Sequence, residues 1–279
     1  MSQTRTYDLA ETWWRGGSIE VKCVLDDAHF KIVKIPEQFI RKGGDNTLAF
    51  VHHVIQLLYV ERGELRSPCG GALDLSEEPI ESSQYIFSSI EENLMRLTPT
   101  RGPEGKSPLP KPASSVSEST YSNSKHTTSR SGQSKFRSSL LARDGRCILT
   151  HSERSRCTSA HVVPVSRLDV YKAILGLELE NQLYATSMGF LIRDDLHGAY
   201  DRYEWSWYCK DGMYYPHFFA LEDPEMEQIH GRRIDPRTEM RVQPREYLDP
   251  RLADWHYRQC VLARIRGTAE GFDLGQALE

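Results

Sequence analysis

Apolar and polar side chains alternate along two short segments near the start of the chain. Residues 18–25 (SIEVKCVL) and 29–35 (HFKIVKI) place apolar side chains at every second position, which is the spacing of a half-buried β-strand. In the second segment Phe30 and Ile32 are expected to face inward, and Pro36 ends the strand. The pattern therefore predicts two strands in this region.

Two helices are predicted to follow these strands. The first covers residues 47–61, because Asp45 and Asn46 offer N-caps and apolar side chains then recur at helical spacing. These side chains are Leu48, Val51, Ile55 and Leu58. The second helix is predicted over residues 82–97. Together the strands and helices predict a small α+β domain over residues 1–98, and nothing in it identifies a function.

The pattern changes after residue 135. Residues 136–143 (FRSSLLAR) predict a short helix, and residues 147–150 (CILT) form a strand-like run. A polar turn follows over residues 151–156, and residues 158–164 (TSAHVVP) predict a second strand that stops at a proline. The two strands are interpreted as a β-hairpin with a histidine near the end of its second strand.

The last part of the chain predicts a second hairpin and a helix. Residues 203–208 and 213–221 are rich in aromatic side chains, and Asp211-Gly212 between them is a type I′ turn signal. The aromatic side chains are interpreted as packing residues, with base stacking as the alternative. A final helix is predicted between its cap at Asp249 and Gly267.

Composition separates these regions into domains. The length of 279 residues suits two domains. Residues 99–134 contain 10 Ser, 5 Pro and 3 Gly, too few apolar side chains to offset the entropy of ordering the chain. We therefore predict a disordered linker over residues 99–134, between a domain at 1–98 and a second domain at 135–279.

Charge is distributed unevenly along the chain. The whole chain has a formal net charge of −4, which by itself argues against nonspecific binding to nucleic acid. Residues 1–98 carry 10 basic and 15 acidic side chains, residues 99–157 carry 11 and 4, and residues 158–279 carry 14 and 20. The net charges of −5, +7 and −6 show that two acidic regions mask a basic one.

Two other features bear on the compartment and on metal chemistry. No apolar run approaches the ~20 residues of a membrane helix, and no apolar signal-peptide region is visible at the start of the chain, so we expect a nuclear or cytoplasmic protein with no membrane partner. The six cysteines form no C-x-x-C pair and are interpreted as free thiols.

His197 and Asp201 are four residues apart in the predicted helix 193–201, so both face the same side and can bind one divalent cation.

The order of these motifs resembles the HNH endonuclease family, in the branch that is common in fungal proteins. The resemblance rests on Arg143 to Thr150 (RDGRCILT), Ala160 to Pro164 (AHVVP) and Arg193 to Asp201 (RDDLHGAYD). It covers about residues 136–220, under a third of the chain. It implies an α+β protein with a ββα-metal module, to which the C-terminal hairpin and helix are added.

The resemblance also implies roles for individual residues. His161 would be the general base that takes a proton from water, since the ordinary pKa of histidine lies near neutrality. His197 and Asp201 would hold one divalent metal ion, Mg²⁺ or Mn²⁺ first, with Zn²⁺ or Ni²⁺ as alternatives. Ala160 and Met188 stand where many family members have Asp and Asn.

These features predict a metal-dependent endonuclease that hydrolyses phosphodiester bonds. The expected partner is double-stranded DNA, held by phosphate contacts from basic side chains, namely Lys135, Arg137, Arg143, Arg146, Arg154 and Arg156. The alternative is a catalytically degenerate HNH module that binds nucleic acid or protein without cutting. A protein partner for residues 1–98 is a further open alternative.

Overall fold

The computed structural model is a mixed α+β protein, as predicted, and it describes residues 7–25, 29–79, 83–90, 97–105, 130–176, 182–240 and 246–266. The chain forms two compact units, each assembled from separate segments. The first unit comprises residues 1–103, 199–234 and 256–279, and the second comprises residues 104–198 and 235–255. The predicted domain 1–98 lies within the first unit, whereas the predicted domain 135–279 contributes to both. Most of the predicted linker, residues 106–129, lies outside the described residues.

A four-stranded sheet organises the first unit. Strands β1 (Ser18–Leu25) and β2 (His29–Pro36) confirm the two predicted strands and pair antiparallel. β4 (Gln84–Ser89) lies parallel to β1 and antiparallel to β3 (Gly63–Arg66), which gives the order β2-β1-β4-β3. The side chains of Phe30 and Ile32 are not described.

The predicted helix over residues 82–97 is wrong where the structure describes it. Tyr85 and Phe87 on β4 are buried while Gln84 is exposed. This period of two buries the aromatic side chains on one face of the sheet, where β-sheet pairing outweighs local helical preference. Residues 91–96 are not described.

Helices complete the first unit. α1 (Ala10–Trp13) precedes the sheet, α2 (Glu37–Lys42) follows β2, and α3 (Leu48–Gln56) confirms the predicted helix but ends earlier. The cap of α3 is Thr47, whose hydroxyl accepts a hydrogen bond from Phe50 N at 3.2 Å. The predicted cap Asp45 is engaged elsewhere, because its carboxylate accepts hydrogen bonds from Tyr208 and Lys210 at 2.8 and 2.7 Å. The predicted apolar side chains of this helix region are buried, namely Leu48, Val51, Ile55 and Leu58.

The predicted aromatic hairpin is confirmed in the first unit. β7 (Trp205–Lys210) pairs antiparallel with β8 (Met213–Phe218), and the turn residues Asp211 and Gly212 have φ values of 51° and 73°. Two left-handed residues match the right-handed twist of the strands in a type I′ turn. α7 (Pro224–Ile229) follows. The hairpin's aromatic side chains are mostly buried, with Trp205 at 0% exposure, so they act as packing residues.

The second unit contains another antiparallel strand pair. α4 (Arg130–Asp144) leads to β5 (Cys157–His161), α5 (Leu168–Leu175), β6 (Gly189–Arg193) and the start of α6 (Asp194–Asp201). β5 pairs with β6, so that Cys157 lies opposite Arg193 and His161 opposite Gly189. The predicted helices over residues 136–143 and 193–201 are confirmed, the first being longer.

The predicted partner of β5 is wrong. Residues 147–150 form a turn, in which His151 N donates to Cys147 O at 2.9 Å and Cys147 N donates to Ser152 O at 3.0 Å. Gly145 and His151 both have positive φ, at 69° and 57°. These two left-handed residues curl the segment back on itself, so it cannot extend along β5. β5 also ends at His161, before the predicted end at residue 164.

Two further helices lie near the end of the chain. α8 (Pro236–Glu239) belongs to the second unit, and α9 (Pro250–Arg264) runs from the second unit into the first. Asp249 caps α9 as predicted, since its carboxylate accepts a hydrogen bond from Arg251 N at 3.0 Å. The predicted end at Gly267 lies outside the described residues.

All six cysteines are free, and no described helix is long and apolar enough to cross a membrane.

Candidate functional site

His161 lies at the end of β5, with its imidazole half-buried in the second unit. The ring of Phe136 stacks on it, with centroids 4.1 Å apart and planes 20° from parallel. Tyr184 approaches edge-on at 6.0 Å. Nε2 of His161 lies 3.0 Å from the carbonyl oxygen of Leu183. Because a carbonyl oxygen only accepts hydrogen bonds, Nε2 carries the proton and the Nδ1 lone pair is left for other chemistry.

The strand opposite His161 must approach closely. Gly189 faces His161 across the β5–β6 pair, and a Cβ on Gly189 would collide with the Ala160 carbonyl and the Phe136 ring. Any larger residue at Gly189 would therefore push β6 or Phe136 away. Glycine at this position lets Phe136 reach the imidazole of His161.

The electrostatic surroundings keep His161 uncharged at neutral pH. Burial is the main cause that lowers the pKa of His161 to about 4; the hydrogen bond to Leu183 opposes this shift, and His197 adds a smaller lowering. A neutral imidazole is the form that accepts a proton.

α6 starts directly after β6 and carries the two predicted metal ligands. His197 and Asp201 are one helical turn apart and both half-buried, so they share one side of the helix. Next to them, Arg193 and Asp195 form an ion pair at 2.7 Å, and this partner lowers the pKa of Asp195. The boundary between the two units falls within α6, with His197 in the second unit and Asp201 in the first.

The donor set of α6 fits only a partly hydrated cation. In the described segments, no group of three or more His, Cys, Asp or Glu side chains is arranged to hold a metal ion. His197 and Asp201 offer one imidazole and one carboxylate. Two protein ligands suit a hard cation such as Mg²⁺, which keeps several water ligands and takes others from substrate phosphates. The carboxylate of Asp201 is the kind of ligand that such an ion takes, whereas the imidazole of His197 suits Zn²⁺ or Ni²⁺ as well.

The two departures from the family pattern lie in the core. Ala160 is fully buried, and Met188 is 6% exposed in a short turn before β6. The main chain of Met188 accepts a hydrogen bond from Val162 N at 2.9 Å. The backbone at Met188 thus holds the residue after His161 in place, while the methionine side chain fills apolar space.

Arg143, predicted to contact DNA, is unavailable to a phosphate because its side chain is completely buried. Its guanidinium pairs with the Asp144 carboxylate at 2.6 Å and donates to the carbonyl oxygens of Thr186, Glu246 and Gly189 at 2.7–3.0 Å. Asp144 in turn accepts a hydrogen bond from Leu191 N at 2.8 Å. Arg143 therefore ties the end of α4 to β6, and its role is structural.

The other predicted DNA contacts are placed at the surface of the second unit. Lys135, Arg146, Arg154 and Arg156 are exposed, and Arg137 is half-buried. Two of them, Arg146 and Arg154, line a surface pocket of about 400 Å³ together with Gly145, His151, Glu153 and Ser155. Its two guanidinium groups outnumber the single carboxylate, so the pocket has a net positive charge.

Sequence reasoning missed the residues that position His161. These are the stacked ring of Phe136, the carbonyl of Leu183 and the edge of Tyr184. One signal was present for Phe136, because Phe136, Leu140 and Arg143 follow helical spacing and all three are buried. The Leu183 carbonyl has no signal in the sequence, since it is a backbone group.

Searches among family models, curated proteins and solved structures find no match to this chain.

Proposed function

We propose that this protein is a metal-dependent endonuclease of the HNH type, acting on double-stranded DNA through a ββα-metal module. The observation that carries the proposal is the environment of His161: an imidazole stacked on Phe136, with Nε2 bound to the Leu183 carbonyl and Nδ1 left to accept a proton. A general base and a metal ligand must act on the same phosphate, so their proximity is the first requirement of the mechanism.

The chemistry begins at Nδ1 of His161. This nitrogen takes a proton from a water molecule, and the oxygen of that water attacks the phosphorus. The bond to the 3′ oxygen of the DNA then breaks. The Leu183 carbonyl stabilises the imidazolium that forms, because it accepts a hydrogen bond from Nε2. Phe136 limits rotation of the ring so that Nδ1 keeps its direction.

His197 and Asp201 are the side chains that we propose to hold the metal ion. When bound, a divalent ion stabilises negative charge on the phosphate and on the leaving oxygen. The Asp201 carboxylate favours Mg²⁺ or Mn²⁺, the His197 imidazole also admits Zn²⁺ or Ni²⁺, and all four ions are compared in the same experiment.

The basic side chains would position the DNA by contacts to its backbone. Since Arg143 is buried, five basic side chains remain in this role, namely Lys135, Arg137, Arg146, Arg154 and Arg156. Such contacts provide affinity that falls with rising salt and carry no sequence information. The proposal therefore predicts DNA binding with weak sequence preference.

Plasmid cleavage tests the proposal. Supercoiled plasmid is incubated with the full chain and Mg²⁺, Mn²⁺, Ni²⁺ or Zn²⁺ in turn, and cleavage by the wild type is compared with His161→Ala, His197→Ala and Asp201→Asn. The matched control is His53→Ala, an exposed histidine of the first unit. Loss of cleavage in the three site variants, with His53→Ala active, supports the proposal. Cleavage that survives His161→Ala contradicts the role of the base.

A second candidate is a noncatalytic module that binds nucleic acid. It is favoured by Ala160 and Met188, because both are buried apolar side chains at positions where the family pattern has polar ones. This candidate predicts salt-sensitive DNA binding without cleavage in any metal, and binding that is unchanged in His161→Ala. The same set of variants therefore separates the two functions.

A further inference from the structure

A groove in the first unit combines apolar side chains with two arginines. It is open to solvent and has a volume of about 580 Å³, between the end of α3, the start of β3, the residue that follows β4 and one side of α9. Its lining includes Leu57, Tyr59, Val60, Ile90, Arg62 and Arg258. This volume lies within the range of about 300–1,000 Å³ that is typical of small-molecule sites.

The apolar side chains of this groove are unusually exposed. Val60 is 66% exposed and Ile90 is 51% exposed. In the described part of the chain, only Leu75 joins them among exposed large apolar side chains. Two such side chains at one groove mark a surface that gains stability when an apolar ligand covers it.

Most polar groups of the groove are already paired with one another. Gln56 donates to the carbonyl of Glu61 at 2.7 Å and accepts from Gly63 N at 2.9 Å. His52 Nε2 lies 2.7 Å from the carbonyl oxygen of Gly63. These groups are therefore not available to the main chain of a bound peptide, which argues for a ligand with few hydrogen-bonding groups.

The two arginines differ from these paired groups. Neither Arg62 nor Arg258 makes a side-chain hydrogen bond or ion pair with the residues that the structure describes. Arg62 is exposed and Arg258 is half-buried. A guanidinium binds a carboxylate through two parallel hydrogen bonds, so the two arginines that line this groove favour an anionic head group.

We propose that this groove binds a small amphiphile with one carboxylate and an aliphatic tail. The carboxylate pairs with Arg62 and Arg258, and the tail covers Val60, Ile90 and Leu57. The site lies entirely within the first unit. It is independent of the proposed nuclease activity.

Calorimetric titration of the full chain with decanoate, below its micelle concentration, tests this proposal. The controls are decanol, which has the same tail without charge, and decyltrimethylammonium, which has the opposite charge. We expect saturable binding of decanoate and affinities at least about tenfold weaker for both controls, because they lose charge-assisted hydrogen bonds. Equal binding of all three ligands, or no binding of decanoate, overturns the proposal.

Variants locate the binding. Arg62→Gln with Arg258→Gln is expected to weaken decanoate binding by about tenfold or more, and Val60→Ser with Ile90→Ser weakens it through the tail. The matched control is Arg146→Gln with Arg154→Gln in the second unit, which should bind like the wild type. Decanoate affinity that is unchanged by the groove variants contradicts the site.

A variant that gains binding of another ligand shows that its loss of decanoate binding does not result from misfolding. Arg62→Glu with Arg258→Glu should bind decyltrimethylammonium more tightly than the wild type does, which an unfolded chain would not do saturably. Failure to gain this binding, in a variant whose melting matches the wild type, overturns the role of the arginines. Tighter binding of an acidic, leucine-rich peptide than of decanoate would reassign the groove to a protein partner.

Discussion

The ring of Phe136 stacks face to face on the imidazole of His161, with centroids 4.1 Å apart. The two residues come from different elements, α4 and β5, and Gly189 on β6 leaves the space that allows their contact. The stacking covers one face of a ring whose Nε2 is already bonded to the Leu183 carbonyl. The contact between Phe136 and His161 therefore contributes both to the stability of the second unit and to the orientation of the proposed base.

Replacement of Phe136 should reduce both stability and cleavage. Phe136 is 1% exposed, and truncation of a buried Phe to Ala costs about 3–5 kcal/mol. Phe136→Ala is expected to lower the free energy of unfolding by that amount in urea titrations. Phe136→Leu, which retains most of the volume, should cost clearly less. Equal stability of the wild type and Phe136→Ala would contradict the burial of Phe136 in the core of the second unit.

Arg143 should matter for folding rather than for DNA. Loss of its side chain leaves the buried Asp144 carboxylate without its partner, at a cost of about 3–5 kcal/mol. Arg143→Ala should therefore unfold at much lower urea concentration, whereas Arg146→Ala, at an exposed site, should stay within about 0.5 kcal/mol of the wild type. An Arg143→Ala variant of normal stability would show that the buried ion pair is not essential.

The exposed arginines should determine the salt dependence of DNA binding. Each lost phosphate contact lowers the slope of log affinity against log salt by about 1. Arg146→Ala and Arg154→Ala are each expected to show this change in fluorescence anisotropy with a labelled duplex, roughly equally across sequences. Arg232→Ala, in the first unit, serves as the control. A slope that is unaffected in both variants would remove the pocket at Arg146 and Arg154 from the DNA interface.

Acid should destabilise the first unit through its buried histidines. Burial lowers the pKa of His230 and His256 to about 3 and that of His217 well below its ordinary value. Each neutral ring makes a hydrogen bond inside the protein. The partner is the Phe39 carbonyl for His230 at 2.9 Å, the Ser206 hydroxyl for His256 at 2.9 Å, and the Gly43 carbonyl for His217 at 2.7 Å. The unfolded chain, with a histidine pKa of about 6.5, binds more protons than the folded chain below that pH. The stability contributed by these groups is therefore complete above about pH 6.5 and is lost as the pH falls towards 3.

Urea denaturation between about pH 7.5 and 5 measures this effect. One carboxyl acts in the opposite direction, because burial raises the pKa of Asp254 in the second unit to about 6. Asp254→Asn removes that contribution, so the variant should lose stability more steeply on acidification than the wild type. A free energy of unfolding that stays constant over this pH range in Asp254→Asn would contradict the histidine account.

Local patterns were sufficient for elements whose stabilising contacts are close in the chain. The alternation in β1 and β2, the helical spacing of α3 and α4, the Asp211-Gly212 turn and the Asp249 cap all predicted elements that the structure contains. In each case the side-chain period or the turn residues express the same geometry that the backbone adopts. The candidate residues His161 and His197 came from short motifs that resemble the HNH family, and their functional roles stay predictions.

The predicted strand at residues 147–150 and the predicted helix at residues 82–97 were wrong because segments distant in the sequence determine the structure there. Residues 147–150 have the composition of a strand, but β5 pairs with β6, which comes later in the chain. Residues 84–89 form a strand because β1 and β3 lie on either side of them.

The sequence by itself determined the α+β class, and it supplied the two histidines and the basic side chains as candidates for a site. Only the tertiary structure decided that Arg143 is a buried structural ion, that Phe136 and the Leu183 carbonyl hold His161, and that exposed Val60 and Ile90 meet two arginines at one groove. The physical reason is that burial and pKa depend on which segments meet in space. A residue's type limits its chemistry, but its neighbours decide whether that chemistry is used for folding or for binding.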